Sequence, residues 1–513
     1  MTAPSIVEPS PVKGTTGDSA DGNPFVSIPR PVVLTILMLG AFYTLAVVVM
    51  GLSNAGQSRT SMLWVTLSSA WLICWTFYPF IRFKPDYGWC HPLIIAALLG
   101  IVNMVMRSTG LFVNGLEDHI MLPDKWPEEL DMIFAYGNIV TSLALIATYL
   151  GFSRGPRFPL PSMRPPTVTP RRLYLVLLAC FGISLVAVYF YSKIYGGFYS
   201  CLKSLAFGMA KKIEFADDDV DGIGQYVVLM RMATVVVVVW VCSRANAFRS
   251  PVFWGITLAA LGMAYLSEGK RSHMIYPALL ILLCWMMRNR KVPYLRLAAM
   301  GVVAFVLIGF LGIFRGSNWS HSEAVDFSVV RDTSLKEMSS QSQDELVKRV
   351  GSESTFYPIL AKVPGKEPLL YGKTYLGWAM RFVPREMWPD KPRGVDVLAN
   401  ETFFGGNWGM PAGPVGEAYW NFHLPGVLII FFLFGMFKRW FVDLLRRYPD
   451  APGIMAIYML SIFYFDASEN GFRAWLYAIL PVLPMLWMGG LLHQKQTTPR
   501  RVRVGLPRPA HVS

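Results

Sequence analysis

Residues 225–240 read QYVVLMRMATVVVVVW. With its neighbours the run extends over 223–242, and about 20 mainly apolar residues are enough to cross the hydrocarbon core of a bilayer. Arg231 interrupts it about eight residues in, which at 1.5 Å per residue is about 12 Å deep. An arginine at that depth costs several kcal/mol unless it is paired or hydrated. Arg231 is therefore expected to face a polar cavity; the plainer alternative is that it snorkels outward to the interface.

The same pattern recurs along the chain. Of its 513 residues 53% are hydrophobic and 16% charged, where a soluble protein carries roughly a quarter charged. Sixteen Trp, 33 Phe and 22 Tyr suit membrane interfaces. The composition is that of an all-α polytopic membrane protein. Twelve spans are expected, at 31–51, 61–81, 92–106, 132–152, 173–192, 223–242, 251–266, 273–287, 297–314, 424–441, 453–470 and 474–491. They divide the chain into a disordered tail (1–29), helices 1–9 (30–314), a large loop (315–423), helices 10–12 (424–491) and a basic tail (492–513).

Lysine and arginine test this topology. If the N-terminus is cytoplasmic, the two tails and the loops near 82–91, 153–172, 243–250, 288–296 and 438–450 hold 24 of them. The short loops on the other side hold 10. The large loop holds 12, but long loops do not set orientation. Both termini are thus expected in the cytoplasm and the large loop outside. The net charge of +14 follows from this bias and is no nucleic-acid signal. The tail is rich in Pro, Gly, Ser and Thr, and no signal peptide is expected in it. Cys74, Cys90, Cys180, Cys201, Cys242 and Cys284 form no disulfide framework and no metal spacing.

The large loop is too long to be a plain connection. Its segments 341–363 and 374–383 have helical spacing, the second stopped by Pro384. PREMWPDKPRG (384–394) is too proline-rich for helix or strand, and the glycines of FFGGNWGMPAGPVGE (403–417) read as turns. Arginine suits phosphate because its planar fork donates in fixed geometry. Arg385 and Lys391, with Arg381 in the same stretch, are candidates to clamp a phosphate or diphosphate. Trp378, Trp388, Trp408, Trp420 and Tyr419 offer flat faces to a sugar; alternatively the tryptophans only mark the membrane boundary. Lys270 and Arg271 lie in a tight outer turn against the positive-inside trend, and Arg315 opens the large loop. Glu417, Glu268 and Glu469 are the available bases. DDDVD (217–221) is the one metal-like cluster, and it reads as a solvated loop, so neither metal nor cofactor is expected. A cationic outer cavity with a few carboxylates suits a lipid-linked diphosphate.

Three segments carry a resemblance. Gly372 to Tyr375, Pro384 to Pro392 and Gly416 to Phe422, the last leading into a span, resemble the Gly-x-Thr-Tyr, Pro-Arg/Trp-Pro-x-Lys-Pro and Gly-Glu-x-Tyr-x-Asn-Phe segments of the Wzy-type polymerases of oligosaccharide repeat units. The basic turn Gly269 to Ser272 and the run Arg349 to Ser352 fit as well. His423 departs from the family, which often has Gly after the Phe. The resemblance implies a metal-independent, GT-C-type glycosyltransferase of the bacterial inner membrane. It would join undecaprenyl-diphosphate-linked repeat units into O-antigen of lipopolysaccharide, or exopolysaccharide, at the periplasmic face. A chain-length regulator protein is the partner typical of the family. In that frame Arg271, Arg315 and Arg385 would hold the diphosphate, with Arg231 and Lys391 in support and Lys270 beside them. Glu417 would be the first candidate base, with Glu268 and Glu469 behind it. Trp388, Tyr419, Trp420 and Asn421 would shape the sugar site. An O-antigen ligase is the nearest rival, and a lipid flippase or transporter the rival from another class. A transporter needs charges along a path through many spans, and Arg231 is the one clear mid-span case.

Overall fold

The structure, a computed structural model, describes residues 24–55, 60–84, 86–102, 130–164, 169–201, 223–268, 272–295, 297, 301, 355–379, 387–388, 393–406, 409–491 and 494–495. Within them the chain is helical, apart from one antiparallel pair of two-residue strands, β1 (Met163–Arg164) and β2 (Gln494–Lys495). A helix satisfies its backbone hydrogen bonds within itself, which hydrocarbon demands.

The helices are α1 (Arg30–Ala55), α2 (Thr60–Ile81), α3 (Pro92–Val102), α4 (Leu130–Arg154), α5 (Pro170–Ile194), α6 (Ile223–Ser243), α7 (Pro251–Glu268) and α8 (Ser272–Asn289). After them come α9 (Phe356–Lys362), α10 (Lys373–Ala379), α11 (Val395–Phe404), α12 (Gly413–Arg447), α13 (Pro452–Tyr464) and α14 (Glu469–Met488). Among the described residues, α1, α2, α4, α5, α6 and α14 are long and apolar enough to cross a membrane. The expected third, seventh and eighth spans appear as the shorter apolar helices α3, α7 and α8, and the ninth, apart from Leu297 and Gly301, lies outside the described residues.

Three expectations need correction. The glycine-rich stretch read as turns, 403–417, holds the last two residues of α11 and the start of α12. The eleventh span, expected to reach 470, stops at Tyr464, and α14 begins at Glu469. The expected loop 438–450 is helical to Arg447, and Lys438 in it is buried, its ammonium 4.3 Å from the Phe434 ring centroid.

α6 is the hub of one half: α5, α7, α8, α13 and α14 pack on it, and Val235–Val241 are all buried. α4 and α12 are the axis of the other, with α2 and α9 against α4. They approach closely because glycines face each other's backbones. A Cβ on Gly151 would lie 2.0 Å from the Phe432 carbonyl oxygen, and one on Gly435 2.1 Å from that of Thr148. Small residues permit this in membranes, where packing rather than the hydrophobic effect draws helices together. Asn138 of α4 adds polar glue, its amide donating to Ser68 and Ser69 Oγ of α2 at 3.2 and 3.1 Å. Hydroxyls inside the helices are satisfied locally: Thr44, Thr76, Thr148, Ser184 and Thr257 each donate to the carbonyl four residues back.

Arginines serve the helix ends around the 153–172 linker. Arg439 of α12 donates to the Ser153 and Gly155 carbonyls at the end of α4, Arg447 to Leu160 O, and Arg172 to Met488 O at the end of α14. Cationic donors on terminal carbonyls cap a helix C-terminus.

Candidate functional site

The site forms where α12 breaks. Pro425 has no N–H, so the Asn421 carbonyl loses its donor four residues on. The backbone leaves the helix at Phe422 (φ −142°, ψ 17°) and His423 (φ 57°, ψ −152°), which frees the Trp420 carbonyl too. The 370–372 turn meets both: Leu370 N–H donates to Trp420 O and Tyr371 N–H to Asn421 O, each at 3.1 Å. The Asn421 side chain locks the turn. Its Oδ1 accepts from Gly372 N–H at 3.0 Å, and its Nδ2 donates to Thr374 Oγ1 and to Glu417 O, each at 2.8 Å. Two of the quoted segments, 372–375 and 416–422, thus come together although nothing local in the sequence links them.

Glu417 stands at their junction, 0% exposed. Trp378 Nε1–H donates to its Oε1 at 3.1 Å, and the backbone N–H of Glu469 to its Oε2 at 2.8 Å; the Thr374 hydroxyl also donates to it. Glu469 N–H is the first of α14, and a helix N-terminus favours an anion. Burial opposes the charge and wins over these donors, aided by the carboxylates of Glu469 and Asp396. The Glu417 carboxyl is pushed up to about 8. It can therefore exchange a proton near neutrality.

A second acid repeats the arrangement. Gly394 caps α11 without a side chain to offer, and Glu469 Oε2 takes the Val395 N–H at 2.6 Å instead. Asp396, one residue on, accepts from Asn470 Nδ2, and Asn470 Oδ1 accepts from Arg473 at 2.6 Å. Trp378 stacks on Phe472 of α14 (5.4 Å, 12°) and meets Tyr375 edge-on at 4.6 Å. Two buried polar atoms near Glu417, Tyr375 Oη and Asp396 Oδ1, have no hydrogen-bond partner among the described residues. They are the sort of donor and acceptor that a substrate hydroxyl or a water pairs with.

The other expected residues fall in different places. Trp420 is buried, its indole N–H donating to Pro368 O at 3.3 Å and its ring 5.1 Å from Phe403, so it is core packing here rather than an open sugar platform. Tyr419 is buried too, its hydroxyl 3.3 Å from that of Tyr136 and 2.8 Å from His423 Nε2. Trp388 is half-buried. Asn421 positions the turn, as above. Arg231 faces protein, its guanidinium 5.7 Å from the Tyr477 ring centroid of α14. Arg315, Arg381, Arg385, Lys391, Lys270, Arg271 and the acidic run 217–221 lie outside the described residues, as does the side chain of Glu268.

Sequence reading missed Thr374, Tyr375, Asp396 and Asn470 as site members. Thr374 and Tyr375 stand in a quoted segment, and that was the signal for them; Asp396 and Asn470 carry none. No group of three or more His, Cys, Asp or Glu able to hold a metal ion occurs among the described residues. Compared with known proteins, the chain matches no family model, no curated protein and no solved structure.

Proposed function

We propose that this chain is a polymerase of lipid-linked oligosaccharide repeat units. In this reading it is a GT-C-type glycosyltransferase of twelve spans in the bacterial inner membrane, both termini cytoplasmic and the 315–423 loop periplasmic. The observation that carries the reading is the docking of 370–375 onto 416–422 around Glu417. These are two of the three segments that resemble the family, and their residues contact one another through side chains the resemblance names. His423 supports it further. Its φ of 57° and ψ of −152° are backbone space that glycine enters freely and other residues only under strain, and glycine is what the family often has there.

The chemistry is attack of an acceptor hydroxyl on an anomeric carbon with departure of a lipid diphosphate. Glu417 takes the hydroxyl's proton, which a base near its own pKa does best. Both its oxygens are covered, so Trp378 or Thr374 must move to admit the hydroxyl. The leaving diphosphate needs preorganised positive charge, assigned to Arg271, Arg315 and Arg385 with Arg231 and Lys391 in support. Binding partners are undecaprenyl-diphosphate-linked glycans and a chain-length regulator.

The test is deletion of the gene in its host, with glycans resolved on a gel after complementation. Single repeat units in place of long chains, restored to a ladder by wild type but not by Arg385→Ala or Arg385→Lys, is the expected result. Long chains that persist on undecaprenyl diphosphate without reaching their final acceptor would identify a ligase instead. Glycan trapped on the cytoplasmic side would identify a transporter.

A further inference from the structure

α1 and α2 enclose an apolar groove of about 540 Å³, lined by Leu37, Ala41 and Val48 of α1 and by Cys74, Phe77 and Ile81 of α2, among others. Its volume is that of a small-molecule site, ~300–1,000 Å³. The one hydroxyl in its α1 wall, that of Thr44, is already bonded to the Gly40 carbonyl at 2.8 Å. From Leu37 to Val48 the groove runs about 16 Å at 1.5 Å per residue, close to half of the ~30 Å hydrocarbon core, or one leaflet. α1 buries only 17% of its apolar stretch, so the groove opens sideways toward lipid.

One end of the groove is basic. Ile81 lines it, and Arg82 and Lys84 follow. Arg30 begins α1. The chain before α1 is tied to the turn after α2 by the Ser27–Gly88 bridge and by Trp89 N–H donating to Val26 O at 3.0 Å. Arg30, Arg82 and Lys84 therefore stand at the same end, and all three are exposed. The carboxylate of that turn, Asp86, is engaged by Arg446 at 3.4 Å.

We infer that this groove is a binding site for an anionic glycerophospholipid, its acyl chain along α1 and α2 and its phosphate held by Arg30, Arg82 and Lys84. An apolar slot one leaflet long explains the chain, and three cations at one mouth explain the choice of headgroup. The site is separate from Glu417 and independent of the glycosyl-transfer proposal.

Cys74 supplies the probe, because it is exposed and the other five cysteines are buried. The full chain, purified in detergent, is given dioleoyl phosphatidylglycerol or dioleoyl phosphatidylcholine, and N-ethylmaleimide modification of Cys74 is followed by intact mass. Native mass spectrometry counts retained lipid in parallel. Phosphatidylglycerol is expected to be retained and to slow modification, and phosphatidylcholine to do neither. Each of Arg30→Gln, Arg82→Gln and Lys84→Gln is expected to weaken phosphatidylglycerol about fivefold, since a cation near an anionic headgroup contributes about 1 kcal/mol. Ala41→Phe, which fills the slot from an exposed position, should abolish retention while the protein stays monodisperse. Equal protection by the two lipids, phosphatidylglycerol affinity unchanged in the triple Gln variant, or retention undiminished by Ala41→Phe would each overturn the proposal.

Discussion

α1 and α6 are alike as sequences, each a long apolar run that crosses a membrane on composition alone. As structures they are opposites. α1 buries 17% of its apolar stretch and packs chiefly on α2, whereas α6 buries 72% and holds five helices. The lesson is that hydropathy reports the solvent a segment tolerates and not the neighbours it has, because lipid tails are as apolar as leucine. What does separate the two is chemistry that lipid cannot satisfy. α6 carries Arg231, which meets the Tyr477 ring. Between its ends α1 has only neutral side chains, and it turns Leu34, Met38, Leu39 and Phe42 outward.

Four substitution experiments press on this contrast between segments that face protein and segments that face lipid. The largest effect is expected where two backbones touch. Gly435→Leu puts a branched side chain where even a Cβ lies 2.1 Å from Thr148 O. The α4–α12 pair cannot relax by moving a flexible side chain, so loss of monodisperse protein in size-exclusion chromatography is the expected outcome. Gly182→Leu on α5, with nothing within 4 Å of its Cβ position, should elute as wild type.

Next comes the contrast itself. Met230→Ala on α6, at a position 0% exposed, should lower stability by about 2–5 kcal/mol through the cavity it leaves. The same change at Met38 on α1, 65% exposed, should stay within about 0.5 kcal/mol. Thermal unfolding in one detergent measures both, and equal losses would mean that α1 packs against something in the working protein.

A pH series tests the burial of Glu417. Its folded-state pKa is raised from 4.5 to about 8, so the stability it contributes is complete below about 4.5 and is lost as pH rises from there to about 8. Wild type should melt lower at pH 8.5 than at pH 5, with Glu417→Gln flattening that difference. An unchanged slope in the Gln variant would place the titration elsewhere.

The smallest effect concerns the kink. His423→Gly and His423→Ala both lose the 2.8 Å contact with Tyr419, so comparing them isolates the backbone. At φ 57°, ψ −152° the Gly variant should be the more stable by about 1 kcal/mol or more. Equal melting temperatures would say that the backbone there is unstrained.

How much of this was legible in the sequence differs by level. Six of the twelve expected spans were, as helices long and apolar enough to cross a membrane, because a bilayer demands about 20 apolar residues in a row and 223–242 announces itself. The extent of α12 was not. Lys438 and Arg439 look like the end of a hydrophobic run, yet Lys438 is buried beside Phe434 and Arg439 reaches back to α4. Nor was α11, because the glycines and prolines around it outweighed the ten residues between. Glu417, Asn421 and Glu469 were picked out as site residues, but the contacts that join them to each other and to Thr374 were not. Thr374 lies 47 residues before Asn421, and Glu469 lies 52 after Glu417. Contacts of that separation leave no period in a sequence; they follow from Pro425 breaking a helix and a distant turn supplying the missing donors.

The most direct test of the central claim is turnover by the purified full chain. Undecaprenyl-diphosphate-linked repeat units from the host are incubated with wild type, Glu417→Gln and Glu417→Ala, and products are sized by gel. Wild type should build a ladder, more strongly as pH rises toward 8, while Glu417→Gln, folded and monodisperse, leaves single units. A ladder from Glu417→Gln and Glu417→Ala equal to that of wild type would contradict the account and remove Glu417 from the chemistry.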